Sequence, residues 1–214
     1  MRTRQLNYLT GVVCAAFAWG VAAQAQAGTP VTGYIMHIQM TPAVCHLNSS
    51  QSKKRKCLEG YSLNIVGLYP ENMSVRCQTT SSPLLAPLQA KVVARVMPDE
   101  QARVQLWHSM GGCVPMNASQ YFRTIINYAD HLKVPSEISR AETSLVVSAQ
   151  IQQQFFKLNP QLGAKAIHFQ CSSQRSNSYL TELQVCYNAK GQYKACPSHI
   201  QSNCPARYYI KGAY

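Results

Sequence analysis

The sequence predicts one α+β domain, a central antiparallel sheet with helices packed on it. Strand-like patterning lies at both ends of the chain and helical patterning between them, and an even set of cysteines follows an export segment. Strands set apart from a run of helices indicate segregated layers rather than alternating βαβ units.

From Tyr34 to Gln39, Tyr34, Met36 and Ile38 alternate with Ile35, His37 and Gln39, the pattern of a strand buried on both faces. A second strand is expected over Tyr61 to Val66, with Val66 an apolar exception on its polar face. Thr79 to Pro87 reads as a Ser, Thr and Pro-rich loop. Asp99 should cap a helix reaching Met110, ended at Gly111-Gly112 because paired glycines disfavour helix and permit positive φ. Asn117 with Gln120 forms a capping-box pattern ahead of a helix carrying Tyr121, Phe122, Ile125, Ile126, Ala129 and Leu132 on one face. Ser148 should cap a short helix with Ile151 and Phe155. Strands follow at Ala166 to Cys171, Tyr179 to Tyr187 and Ala206 to Lys211, with a turn at Asn188 to Gly191.

At the front, Arg2 and Arg4 precede an apolar stretch from Tyr8 to Ala23 and then Ala25-Gln26-Ala27. That order is a secretory signal peptide over residues 1–27, leaving one domain over 28–214, secreted or periplasmic. The apolar stretch is shorter than the roughly 20 residues a spanning helix needs, so no membrane partner is expected once the segment leaves. Of nine cysteines, Cys14 departs with it. Cys45, Cys57, Cys77, Cys113, Cys171, Cys186, Cys196 and Cys204 remain, an even number in an oxidising compartment, which reads as four disulfides. No C-x-x-C pair occurs, so neither a metal nor any other cofactor is expected.

The formal charge is +12, of which Arg2 and Arg4 leave with the signal segment. Such an excess favours polyanionic partners. Its densest cluster, Lys53-Lys54-Arg55-Lys56, lies between Cys45 and Cys57 and is a candidate phosphate-contacting loop.

Two segments carry a resemblance. Val66-Gly67-Leu68-Tyr69-Pro70 and Gln105-Leu106-Trp107-His108-Ser109-Met110-Gly111-Gly112-Cys113 resemble the H-G-L-W-P and H-E-W-x-K-H-G-T-C signatures of the ribonuclease T2 family. Gly67, Leu68, Pro70, Trp107, Gly111 and Cys113 match. Asn117 to Phe122, Tyr179 to Cys186, Cys196-Pro197 and Cys204 extend the likeness from about Tyr34 to Tyr214. It implies the family's α+β fold and the pairings Cys45 with Cys57, Cys77 with Cys113, Cys171 with Cys204 and Cys186 with Cys196.

The family cleaves single-stranded RNA through a 2′,3′-cyclic phosphate, with two histidines exchanging protons and a glutamate and lysine supporting the transition state. Imidazole suits this because it titrates near neutrality. Carried over position by position, the first histidine falls on Val66, the second segment's opening histidine on Gln105, its glutamate on Leu106, its lysine on Ser109 and its closing histidine on Met110. None of these can exchange a proton, and no cation stands at the lysine position. Proton-transfer groups are each worth roughly 10² to 10⁴ in rate, so several orders of magnitude of turnover should be missing.

His108 lies about 200° around the helix from Leu106 and Met110 at about 3.6 residues per turn and should point away from them. His37 is the candidate substitute; His46, His131, His168 and His199 have no motif around them. Tyr69 stands at the family's tryptophan and can pack in the core or stack on a base.

Three functions compete on this reading. The first is a secreted, monomeric pseudoenzyme that binds single-stranded RNA through Lys53, Lys54, Arg55, Lys56 and Tyr69. The second is an endoribonuclease with relocated acid and base groups. The third is a module for an unknown protein partner, using an apolar cleft of Val66, Leu106 and Met110.

Overall fold

A computed structural model describes residues 31–73 and 77–212. Residues 1–27, read above as a signal peptide, lie outside the described residues.

Strand β1 (Gly33–Met40) runs straight into helix α1 (Thr41–Leu47), where Pro42 sits in the first turn, a position that needs no amide hydrogen. Helix α2 (Arg55–Leu58) follows, then strand β2 (Leu63–Pro70). The middle of the chain holds α3 (Pro87–Ala94), α4 (Glu100–Met110) with a 3₁₀ turn at Gly111–Cys113, and α5 (Ala118–His131). A short β3 (Ser144–Val147) and α6 (Ser148–Leu158) lead to β4 (Ile167–Gln174), β5 (Asn177–Asn188) and β6 (Arg207–Ile210).

The sheet order is β2-β1-β5-β6-β3, with β4 also on β5. It is antiparallel except where β5 meets β6 in parallel at Tyr179 and Tyr209, so the expected antiparallel sheet is mixed at that junction. The second strand also runs past its expected end at Val66 to Pro70, because pairing with β1 continues to Tyr34 opposite Pro70. The register shifts between His37, opposite Gly67, and Ile38, opposite Ile65. Val66 is thus the extra residue of a β-bulge, which explains its break in the alternation.

Caps behave as the sequence directs at two helices. Asp99 Oδ1 accepts from the Ala102 amide at 3.1 Å. Asn117 and Gln120 form the reciprocal capping box, an arrangement in which the cap is worth about 1 kcal/mol. Ser148, by contrast, is the first residue of α6 and caps nothing; Val147 precedes the helix because it still pairs in β3 with Arg207. Gly111 and Gly112 also serve differently from expectation. Gly111 has φ −62°, inside the helical range. A Cβ on Gly112 would lie 2.7 Å from the Gln78 carbonyl oxygen and one on Gly111 2.8 Å from the Thr79 methyl, so these glycines admit the backbone and side chain of the neighbouring segment rather than a left-handed turn. The turn at Gly191 does use positive φ (82°).

All four disulfides pair as the resemblance implies: Cys45–Cys57, Cys77–Cys113, Cys171–Cys204 and Cys186–Cys196. The core face of the sheet carries Met36, Ile38, Leu183, Val185 and Phe169, all buried. On α5, Tyr121, Phe122, Ile125 and Tyr128 turn inward, while Ile126 and Ala129 are only partly covered. The Tyr121 hydroxyl accepts from the Leu68 amide and donates to the Leu68 carbonyl, both at 3.1 Å, which closes the free edge of β2.

Several of these tyrosines lose their water. Burial pushes the Tyr34 phenol up to about 12, with Tyr128 adding to it, and burial likewise raises Tyr208 to about 12. The unfolded chain releases these protons near pH 10 and the folded one later, so the folded state holds more protons across that window. Stability is expected to be intact below about pH 10 and to fall as pH rises from about 10 to about 12. Thermal unfolding followed across pH 8 to 12 checks this; a flat melting temperature through the window would contradict it.

Candidate functional site

Helix α4 divides its residues by helical period. Arg103, Leu106, Trp107 and Met110 are buried, the i, i+3, i+4, i+7 set of one face. Leu106 is 6% exposed and Met110 0%. Leu106 reaches β2, where a Cβ on Gly67 would lie 2.9 Å from its Cδ1. Trp107 Nε1 donates to the Ser81 carbonyl at 3.1 Å, so the aromatic ring is satisfied inside the core.

The opposite face of α4 presents Gln105, His108 and Ser109 to a cavity of about 640 Å³, completed by Gln78, Thr79 and Thr80. Among the described residues, no Lys, Arg, Asp or Glu side chain lines it. His108 Nδ1 donates to the Thr79 carbonyl at 3.0 Å, and the Thr79 amide donates to the His108 carbonyl at 2.9 Å. That bond requires a hydrogen on Nδ1, and in the neutral tautomer it leaves Nε2 as the acceptor. Ser109 Oγ donates back to the Leu106 carbonyl at 2.8 Å. The Cys77–Cys113 bridge and the Gly112 amide, which donates to the Cys77 carbonyl at 2.8 Å, strap the segment that holds Gln78 and Thr79 against the helix end.

Val66 lines a different cavity of about 360 Å³, with Gln39, Lys56, Asn64, Asp99 and Ala102 among its walls. Lys56 Nζ donates to Gln39 Oε1, and burial pushes its ammonium below the ordinary range against the pull of Asp99. Val66 and Gln105 therefore face separate spaces, with Leu106 packed against Gly67 beside Val66. The apolar cleft expected from Val66, Leu106 and Met110 does not form, because the two α4 residues are part of the core.

The basic loop spreads out. Lys53 and Lys54 are exposed, Arg55 pairs with Glu59 one turn on, and only Lys56 turns inward. Cys45–Cys57 ties this loop to α1.

His37 stands on the sheet face opposite the core, with its Nδ1 3.0 Å from Glu182 Oε1, which also accepts from Gln184 Nε2 at 2.9 Å. The Tyr69 ring meets the imidazole edge-on at 4.9 Å. Burial raises the Tyr69 phenol, and the Glu182 charge adds to the rise. The sequence reading took Asp99 only as a helix cap and Gln39 only as a strand residue, and gave Glu182 no place in a site. Alternation within β5 put Glu182 on a polar face, but its meeting with His37 depends on the β1–β5 register. The other histidines stand apart: His46 packs edge-on to Tyr179, and His168 Nδ1 lies 3.4 Å from Ser202 Oγ.

This fold recurs in solved structures. Japanese pear S3-RNase is 18% identical with a TM-score of 0.63, over 83% of this chain and 98% of that one. Ribonuclease MC1 from bitter gourd seeds is 16% identical with a TM-score of 0.62, over the same shares of the two chains. Nicotiana alata SF11-RNase is 16% identical with a TM-score of 0.59, over 82% and 95%. The chain has the ribonuclease T2 fold. No family model matches it, and no curated protein matches it by sequence.

On the ribonuclease T2 fold, the positions carried over from the two signatures fall on a bulge, on a buried helix face and on a neutral cavity wall. Among the described residues, no group of three or more His, Cys, Asp or Glu side chains could hold a metal, and no helix is long and apolar enough to cross a membrane.

Proposed function

We propose that this chain is an exported protein with the ribonuclease T2 fold that binds single-stranded RNA and has lost efficient cleavage of it. The observation that carries the reading is the burial of Leu106 and Met110 in α4. Proton transfer needs a titratable group within hydrogen-bond reach of the reacting oxygens, and these side chains offer none. Gln105 and Ser109 contribute neutral hydrogen-bonding groups to a cavity that no Lys or Arg lines among the described residues.

RNA binding is supported by the excess of Lys and Arg and by exposed Lys53 and Lys54 beside the cavity that Lys56 enters. Nucleotide complexes of similar folds add to it: variants of ribonuclease MC1 hold 5′-UMP and 5′-GMP, and RNase NT holds 5′-AMP. Export is supported by the signal pattern over residues 1–27 and by four disulfides, which persist in oxidising compartments.

The test is a titration of oxidised mature protein with a labelled RNA oligomer across salt, with the RNA ends analysed on the same sample. Three lysine–phosphate contacts give a slope of log K on log salt of roughly −2 for a single strand. Lys53→Ala with Lys54→Ala should flatten that slope by about 1.4. Affinity that ignores salt, or is absent at low salt, refutes RNA binding.

One observation favours a second reading, an active ribonuclease with a relocated base. His37 with Glu182 is a hydrogen-bonded imidazole–carboxylate pair on a partly exposed face, the arrangement that orients a general base. It requires cyclic-phosphate ends on RNA that vanish with His37→Ala. Product that persists in that variant, or no product from the parent, rules it out.

A further inference from the structure

Nothing in the site above uses the apolar surface around α3. Leu84 is 84% exposed and Leu88 77%, and Val92 is 37% exposed. Leu88, Lys91, Val92 and Arg95 stand at i, i+3, i+4 and i+7, one stripe of the helix continued at its end, and Leu84 precedes it. The other side of α3 is fixed. Val93 is fully buried, Gln89 Nε2 donates to the Ser119 carbonyl at 2.7 Å, and Ser119 Oγ donates to Gln89 Oε1 at 2.8 Å. The stripe is therefore held outward on a rigid support.

Its charge is one-sided. The sequence has no Asp or Glu between Asn72 and Pro98, while Lys91 and Arg95 lie within the stripe and both are exposed. Arg123, also exposed, is one turn along α5 from Ser119. Leucines that protrude among cations, in a stretch of chain without acids, match the boundary between lipid headgroups and acyl chains. There the leucines leave water for hydrocarbon while Lys and Arg stems reach back to headgroup phosphates. RNA would satisfy the cations and leave the leucines in water.

We propose that the stripe of Leu84, Leu88 and Val92, with Lys91 and Arg95, docks this protein peripherally on an anionic phospholipid surface. This revises the expectation of no membrane partner, which concerned spanning segments only.

The experiment is co-sedimentation of the oxidised mature protein with vesicles of phosphatidylcholine alone or mixed with phosphatidylglycerol. The protein should pellet with the mixed vesicles and much less with the neutral ones. Leu84→Ser with Leu88→Ser should weaken that binding by at least about tenfold, since the leucine side chains provide the apolar burial. Lys91→Glu should weaken it by about fivefold or more, because each surface cation contributes a comparable factor. Leu58→Ser removes a leucine that is 74% exposed outside the stripe and should change nothing. All four positions are exposed, so these variants should keep the parent's melting temperature.

The proposal is overturned if the parent stays in the supernatant with anionic vesicles, or if the double serine variant pellets like the parent. It is equally overturned if Leu58→Ser loses as much, or if the stripe proves to bury itself in a dimer by analytical ultracentrifugation.

Discussion

Met110→His will not restore cleavage and will lower stability by about 2 to 4 kcal/mol. Met110 is fully buried in the main core, so an imidazole there loses its hydration and replaces a flexible side chain by a planar ring of different shape. The sign with pH follows from the same burial. A buried neutral imidazole has its folded pKa depressed below the ordinary value near 6.5, so the unfolded chain binds the extra proton first. The loss should deepen as pH falls below about 6.5 and be smallest above it. Urea unfolding of the variant at pH 5 and pH 8, with an RNA cleavage assay on the same sample, checks both halves. Cleavage regained at unchanged stability would show that the position faces an open site.

Removing the Cys77–Cys113 bridge, as Cys77→Ala with Cys113→Ala, should cost about 4 kcal/mol on the chain-entropy model for a closure of this length. The bridge spans 36 residues and ties the strap over α4 to the helix end. The expected consequence reaches beyond stability. Thr79 holds His108, and Ser81 takes the Trp107 indole, so both contacts depend on where this strap lies. Denaturation midpoints measure the first effect, and tryptophan fluorescence reports the second. A variant with the parent's stability would mean that packing alone fixes the strap.

These two outcomes bear on the proposed loss of cleavage. Leu106 and Met110, the positions that align with the signature's glutamate and closing histidine, belong to the core, and Leu106 packs against Gly67 of β2. Reversal is therefore a packing problem as well as a chemical one. Gln105 and Ser109 differ, because they face water and tolerate charge.

Much of the fold was legible in the chain. Capping chemistry is local, so Asp99 and Asn117 could be read from their own neighbours within three residues. Ser148 misled for a nonlocal reason: Val147 is held in β3 by β6, and that pairing sets where α6 starts. The α3 helix was absent from the sequence reading because its apolar residues point both inward and outward, which erases the amphipathic signal. The second strand appeared short because the bulge at Val66 breaks the period of two on which strand reading relies.

The candidate site was legible as identities and illegible as geometry. By itself, the sequence determined which residue types are available: no proton carrier at Val66, Gln105, Leu106, Ser109 or Met110, an excess of cations, and cysteines in an even set. Those facts need only chemistry and counting. Only the tertiary structure decided that Leu106 and Met110 are core, that Lys56 turns away from Lys53 and Lys54, and that His37 meets Glu182. Each of those depends on strand register or on the packing of elements far apart in the chain, and contacts of that kind leave no period in the sequence.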